Sequence, residues 1–212
     1  MFIELVDSLR CLGAHEDTWL VAAVTRMDGR HIVDGTLGCP LCRREYPVRD
    51  GVAWFVEPGP AAPRLTRSSP APDDRVMRAA ALLGLTDGGG IVALGGSWAD
   101  CADGVAELGP AHVVLLNRTP SAAAEQTVSS LVVGDRLPFA AGAVRAVALD
   151  DDLAGTTLDS AVSVLRGRGR LVAPASATVP HGVTEMARDA QDWVAERDAV
   201  ASPPVALRSA RR

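Results

Sequence analysis

Short apolar runs set between turn residues dominate the first part of the chain: WLVAAV, HIVDGTL and GVAWFV, divided by Met27-Asp28-Gly29 and Arg49-Asp50-Gly51. Runs of that length with turn chemistry between them predict a small antiparallel β unit over residues 1–56. Residues 57–72 carry five prolines and no periodic apolar pattern, which reads as an extended linker. Beyond it the period changes. Asp73 can cap a helix that brings Val76, Met77, Ala80 and Leu83 to one face and stops before the glycines at 88 to 90. Short β-branched runs then recur at 91–94, 112–116, 131–133, 143–149 and 170–175, with helix-compatible segments between them. That is the βαβ rhythm of a parallel sheet, so residues 73–212 are expected to form an α/β domain. From Val183 the pattern fits a closing antiparallel hairpin or a helix followed by a tail.

Composition narrows the function classes. With 48% apolar residues in 212, the chain can bury a core. No run of about eighteen apolar residues occurs, and the opening MFIELVDSLR lacks a basic start and an apolar stretch, so a soluble cytoplasmic protein without membrane association is expected. The net charge of -5 argues against a broad basic surface for gripping nucleic acid. All 21 basic residues are arginine, which excludes lysine Schiff-base chemistry.

Four cysteines in a chain expected in a reducing compartment point to metal before disulfides. Cys39-Pro-Leu-Cys42 is a tight turn whose spacing lets two thiolates address one metal. Cys11, followed by His15, supplies a second half, for a structural zinc site of three cysteines and one histidine. His31, Asp17 or a water could stand in for His15, and a redox pair or merely buried thiols is the plainer account of Cys39 and Cys42. A unit of about 55 residues has too small a core to be comfortable alone. Binding a metal would decide whether it folds.

The strings LVDSLRC, HEDTWLV and GTLGCPLCRREYPVRDGVAWF resemble the zinc-ribbon family of small activator subunits that pair with tRNA, rRNA and protein methyltransferases. The first knuckle of that family is usually C-P-x-C. Here its second cysteine position holds Ala14, with His15 directly after it. The resemblance covers about the first 55 residues and implies a methyltransferase or another protein as partner.

The segments GGGIVALGGSWADCADGVAEL, VVGDRLPFAAGAVRAVALDDDL and LDSAVSVLRGRGRLVAPAS resemble the class I S-adenosylmethionine (SAM) methyltransferases from about Asp73 to Ala175. The resemblance implies a parallel-rich Rossmann-like sheet and a SAM site at Gly95, Asn117 and Asp135. The departures fall on that site. Where the family has an acidic residue leading into G-x-G-x-G, this chain has Ala93-Leu94-Gly95-Gly96-Ser97-Trp98-Ala99. Trp98 is expected where the methionine end of the cofactor would lie. Asn117 replaces the acid that would hold the ribose, and Arg145 replaces the usual aspartate of the fourth strand. Asp150, Asp151 and Asp152 read as a solvated acidic loop, Cys101 as buried packing, His112 as structural, and His181 as a turn residue on the substrate side. The knots Arg166, Arg168, Arg170 and Arg208, Arg211, Arg212 read as solvated arginines or phosphate contacts.

Two functions follow. One is a non-catalytic scaffold whose ribbon pairs with a methyltransferase or other partner through a strand edge. The other is an active SAM-dependent methyltransferase, with RNA the first substrate to consider. A zinc hydrolase fits poorly, since a closed four-ligand set leaves no open coordination position. Catalytic residues are not assigned.

Overall fold

The computed structural model describes residues 1–57, 59, 62–85, 89–122 and 128–199. The basic tail Arg208, Arg211 and Arg212 lies outside the described residues, as does Gly88. In chain order, a 3-10 turn at Ile3–Ser8 leads to β1 Val21–Asp28, β2 His31–Gly38, β3 Glu45–Arg49, β4 Val52–Trp54 and β5 Thr66–Arg67. Helix α1 spans Asp73–Leu83 and β6 Gly90–Gly95. A 3-10 turn at Gly96–Cys101 runs into α2 Ala102–Glu107, followed by β7 Ala111–Leu116, β8 Arg118–Thr119, β9 Val128–Val132 and β10 Val144–Ala148. The chain then forms α3 Asp151–Val164, β11 Leu165–Pro174, β12 Val183–Arg188 and β13 Asp192–Arg197.

Eleven strands form one sheet in the order β1-β2-β3-β4-β9-β7-β6-β10-β11-β13-β12. The block β9-β7-β6-β10-β11 is wholly parallel. Its order reverses at β6, as in doubly wound Rossmann-like sheets, and an antiparallel hairpin β12–β13 closes the far side. This is the parallel-rich Rossmann-like sheet expected, and the segment from Val183 is the hairpin. The N-terminal strands β1 to β4 are antiparallel, joined at β3–β4 by Asp50 and Gly51, both at positive φ (48° and 77°), as a two-residue hairpin of primed type requires.

One pairing carries the sheet across both parts: β4 lies parallel to β9, with Val52, Ala53 and Trp54 opposite Ser130, Leu131 and Val132. A second tie sits nearby. Leu9 bridges Phe139, and the backbone N–H groups of Arg10 and Ala140 donate to the carbonyls of Pro138 and Ser8 at 2.8 Å each. The apolar core on this side is accordingly continuous, running from Leu5, Leu9 and Tyr46 through Leu131 and Leu149 to Trp193.

The other core lies under α1 and α2. The buried stripe of α1 is Val76, Ala79 and Leu83, whereas Met77 points to solvent. The expected face was rotated because α1 presses on the sheet through i, i+3 and i+7 positions. Pro72, not Asp73, holds the N-cap position of α1, and no side chain caps it. At its other end Arg145 donates to the Gly84 carbonyl at 2.7 Å and Arg170 to that of Ala81 at 2.9 Å, placing positive charge on orphan carbonyls. Arg145 and Arg170 are thus structural. Among the described residues no helix is long and apolar enough to cross a membrane.

Ala53→Pro removes backbone hydrogen bonding at the β4–β9 seam and should destabilise the protein by about 3 kcal/mol or more. Urea denaturation followed by far-UV circular dichroism checks this; an unchanged midpoint would mean that the seam contributes nothing.

Candidate metal centre and cofactor site

The loop before β1 and the turn between β2 and β3 bring Cys11, His15, Cys39 and Cys42 together, with one ligand atom from each lying within 4.8 Å of the others. The turn is shaped by backbone bonds. Cys39 N–H donates to the Arg44 carbonyl at 2.9 Å, Arg43 N–H donates to the Cys39 carbonyl at 3.0 Å, and Arg43 takes φ 58°. Cys11 Sγ is 3.6 Å from Cys42 Sγ, and His15 Nε2 is 3.3 Å from Cys11 Sγ and 3.4 Å from Cys39 Sγ. A tetrahedral ion with metal–sulfur bonds of about 2.3 Å and metal–nitrogen bonds of about 2.0 Å has edges of about 3.8 and 3.5 Å, so the four donors fit one ion with little adjustment.

The surroundings orient the donors for that task. His15 Nδ1 lies 2.7 Å from the Glu16 carbonyl, which suits an Nδ1–H donor and leaves Nε2 free to bind. Gly13 N–H donates to Cys11 Sγ at 3.3 Å, and a side chain at Gly13 would press on the cluster, its Cβ 2.8 Å from His15 Nε2. Tyr46 Oη accepts from Leu12 N–H at 2.8 Å and lies 3.3 Å from Cys11 Sγ. Burial pushes Tyr46 up to about 12, so it stays protonated beside the sulfur. Burial likewise raises Cys11, whereas the backbone N–H of Arg44 pulls exposed Cys42 down to about 6. The alternatives to His15 sit elsewhere: Asp17 pairs with Arg10 at 3.5 Å, and His31 stacks on Phe2 at 4.0 Å between ring centroids.

The second site lies outside the carboxyl ends of β6, β7, β9 and β10, where doubly wound sheets receive ligands. A cavity of about 570 Å³ there is lined by Gly96, Asn117, Asp135, Asp150 and Asp152, among others. Asn117 and Asp135 both line it. Gly95 does not line it, and its neighbour Gly96 does.

Local geometry explains each departure from the cofactor pattern. Asn117 adopts φ 57°, its side-chain oxygen accepts from Val133 N–H at 2.8 Å, and its side-chain NH₂ donates to the Val133 carbonyl at 3.1 Å. The amide thus acts as an extra rung between the ends of β7 and β9, and a carboxylate could not make the second bond. Asp150 is the N-cap of α3, accepting from Leu153 N–H at 3.2 Å. A Cβ on Gly96 would overlap the Asp150 carboxylate, and one on Gly95 would overlap Leu153. The two glycines admit the first turn of α3 onto the sheet.

Two further expectations are corrected. Asp150, Asp151 and Asp152 are not a loop but the cap and first turn of α3, where acidic groups meet the positive end of the helix. Trp98 does not line the cavity at Asn117: at 6% exposure its ring belongs to the core with Val76 and Ala79, Arg78 lies 5.8 Å from its centroid, and it borders a neighbouring cavity of about 600 Å³ with Ser97, Asp150 and Asp151. Cys101 is buried with its thiol raised by burial, so it is no nucleophile. His112 is structural as expected, edge-on to Phe2 and 3.3 Å from Ser129 Oγ, while His181 is exposed.

No family model matches the sequence, and no curated protein does. Solved structures do match. Geranyl diphosphate C-methyltransferase from Streptomyces coelicolor A3(2) is 16% identical over 48% of this chain and 43% of its own, with a TM-score of 0.39. A SAM-dependent methyltransferase from Aquifex aeolicus is 9% identical over 59% of this chain and 89% of its own, with a TM-score of 0.42. This chain spans less than half the length of the geranyl diphosphate methyltransferases. Likeness at this level concerns the fold and says nothing of activity.

Two outcomes test the geometry. In metal-free protein, iodoacetamide should modify Cys42 before Cys11 or Cys39, because it is exposed and its thiol is lowered, and added zinc should block the reaction; peptide mapping reads both. Asn117→Asp should cost about 1–3 kcal/mol in urea denaturation, since the carboxylate leaves the Val133 carbonyl without its donor.

Proposed function

We propose that this chain is a zinc-stabilised methyltransferase-fold protein that does not carry out SAM-dependent catalysis and serves as an interaction module. Zinc is the ion that three thiolates and an imidazole in a tetrahedron favour, and a closed set of four assigns it a structural role. Cys11, His15, Cys39 and Cys42 are its ligands. The observation that carries the non-catalytic reading is the Asp150 carboxylate seated over Gly96, where the methionine end of SAM would need bare backbone. The amide of Asn117, spent on Val133, supports it.

In this reading residues 1–56 form the ribbon, 57–72 the connection and 73–212 the methyltransferase-like part. The pairing of β4 with both β3 and β9 leaves β1 as the outer strand of the ribbon. Trp19, Val21 and Leu41 are exposed on or near it, so a protein partner, a methyltransferase among the candidates, would dock there rather than through β4.

A second reading keeps catalysis, on RNA or another substrate. It is favoured by the cavity of about 570 Å³ at the switch point, whose acidic lining of Asp135, Asp150 and Asp152 suits a cationic sulfonium. Isothermal titration of the metal-loaded protein with SAM and S-adenosylhomocysteine separates the two. No heat of binding is the expected result for the wild type, and micromolar binding would establish the second reading instead. Asp150→Ala, which clears Gly96 and costs about 1 kcal/mol of capping, should permit binding if that carboxylate is the obstacle. Trp98→Gly should instead destabilise the α1 core by about 3–5 kcal/mol without creating a site.

A further inference from the structure

The three thiols assigned to zinc are treated unequally by the fold. Cys39 is 3% exposed and Cys11 7%, whereas Cys42, in the β2–β3 turn, lies open to solvent. Arg43 and Arg44, both exposed, follow it directly in the chain. A sulfur that binds zinc is already deprotonated. An accessible thiolate in electropositive surroundings is the kind that oxidants reach first.

Cys42 also has a second sulfur at hand. Cys11 Sγ lies 3.6 Å from its Sγ, a contact between residues 31 positions apart. Gly13 N–H donates to Cys11 Sγ at 3.3 Å, and Tyr46 Oη lies 3.3 Å from the same sulfur, so Cys11 is held in that contact. Cys39 is placed differently. Its Sγ is 3.4 Å from His15 Nε2, and its backbone N–H and carbonyl are fixed by Arg44 and Arg43.

We propose that Cys42 is an oxidation site for hydroperoxides, and that its oxidation closes a Cys11–Cys42 disulfide and releases the ion. The inference rests on the zinc assignment made above. The Cys42 thiolate attacks one peroxide oxygen. The S–O bond forms, the O–O bond breaks, and the other oxygen leaves as water or an alcohol after taking a proton from solvent. Cys42 is then a sulfenic acid. The Cys11 thiolate attacks the Cys42 sulfur, the S–S bond forms, the S–O bond breaks, and hydroxide leaves as water with a second solvent proton. Each sulfur gives up one electron, the peroxide gains both, and zinc departs as the dication it was. Cys39 and His15 remain, two donors where a structural site takes four.

The choice of partner decides the fate of the ribbon. Cys11 and His15 lie in the loop before β1, and Cys39 and Cys42 in the β2–β3 turn, so the ion joins two segments. A Cys11–Cys42 bond joins the same two, and a covalent tie takes over from a metal one. A Cys39–Cys42 bond would close the turn on itself and leave the loop before β1 loose. Oxidation by the first route removes the ion and keeps the ribbon folded.

The test uses the full-length, zinc-loaded protein and hydrogen peroxide. Native mass spectrometry counts the metal beforehand. A chain that takes up no zinc overturns the metal assignment and this inference with it, whereas a loaded chain that keeps its ion under peroxide overturns this inference alone. Zinc release is followed with a chromophoric chelator, and the thiols by peptide mapping after alkylation. The ion should be lost as a Cys11–Cys42 disulfide appears, with Cys39 and Cys101 still free to be alkylated, and dithiothreitol with added zinc should restore the starting state. Dimedone present during the reaction should label Cys42 and block the disulfide. The oxidised protein should melt at a higher temperature than reduced protein stripped of zinc. A first disulfide between Cys39 and Cys42 would overturn the proposal. So would oxidation of Cys101 ahead of Cys42, or an oxidised protein that melts no higher than the stripped one.

Discussion

The parallel contact between β4 and β9 is the constraint on which the rest of the molecule depends. It is only three residue pairs long, yet it gives the antiparallel ribbon a second neighbour and the Rossmann-like sheet a continuation. Without it the ribbon would be a small β unit with an open edge at β4 and little apolar surface to bury, which is the size regime in which a core alone seldom suffices. With it, Leu37, Tyr46 and Phe55 share one core with Leu131 and Leu137. The Leu9–Phe139 bridge pins the other side of the same junction, so the ribbon is held along two lines. The cysteine and histidine cluster then organises only the outer end, where the loop before β1 meets the β2–β3 turn.

The glycine turn after β6 receives a part of the chain itself. Gly95 and Gly96 still allow a close approach to the backbone, but what approaches is the cap and first turn of α3. Asn117 still stands at the end of β7, but its side chain is turned inward to close the gap to β9.

Much of this was legible in the sequence. The β-branched runs at 91–94, 112–116 and 143–149 became β6, β7 and β10 because buried parallel strands need continuous apolar residues. The C-x-x-C turn announced the cluster, since its spacing dictates where two sulfurs can point. What escaped was of two kinds. The β4–β9 pairing joins segments far apart in the chain, and parallel partners leave no local mark on either. The uses of Gly96, Asn117 and Trp98 depend on which neighbour arrives at a given atom, and the sequence does not show which one does. The face of α1 was misjudged, with Ala79 buried and Met77 exposed, a difference that periodicity over a short amphipathic helix does not resolve.

The long separation between β4 and β9 also sets an order of events during synthesis. The ribbon leaves the ribosome well before the strand that completes it exists, and domains tend to fold in the order in which they emerge. For that interval β4 is an unpaired edge carrying Trp54, exposed to wrong partners. An ion held by Cys11, His15, Cys39 and Cys42 needs nothing from the later chain, because all four ligands precede β3. Metal capture could therefore act as a temporary placeholder for the missing strand, keeping the nascent ribbon in shape until the sheet arrives to receive it.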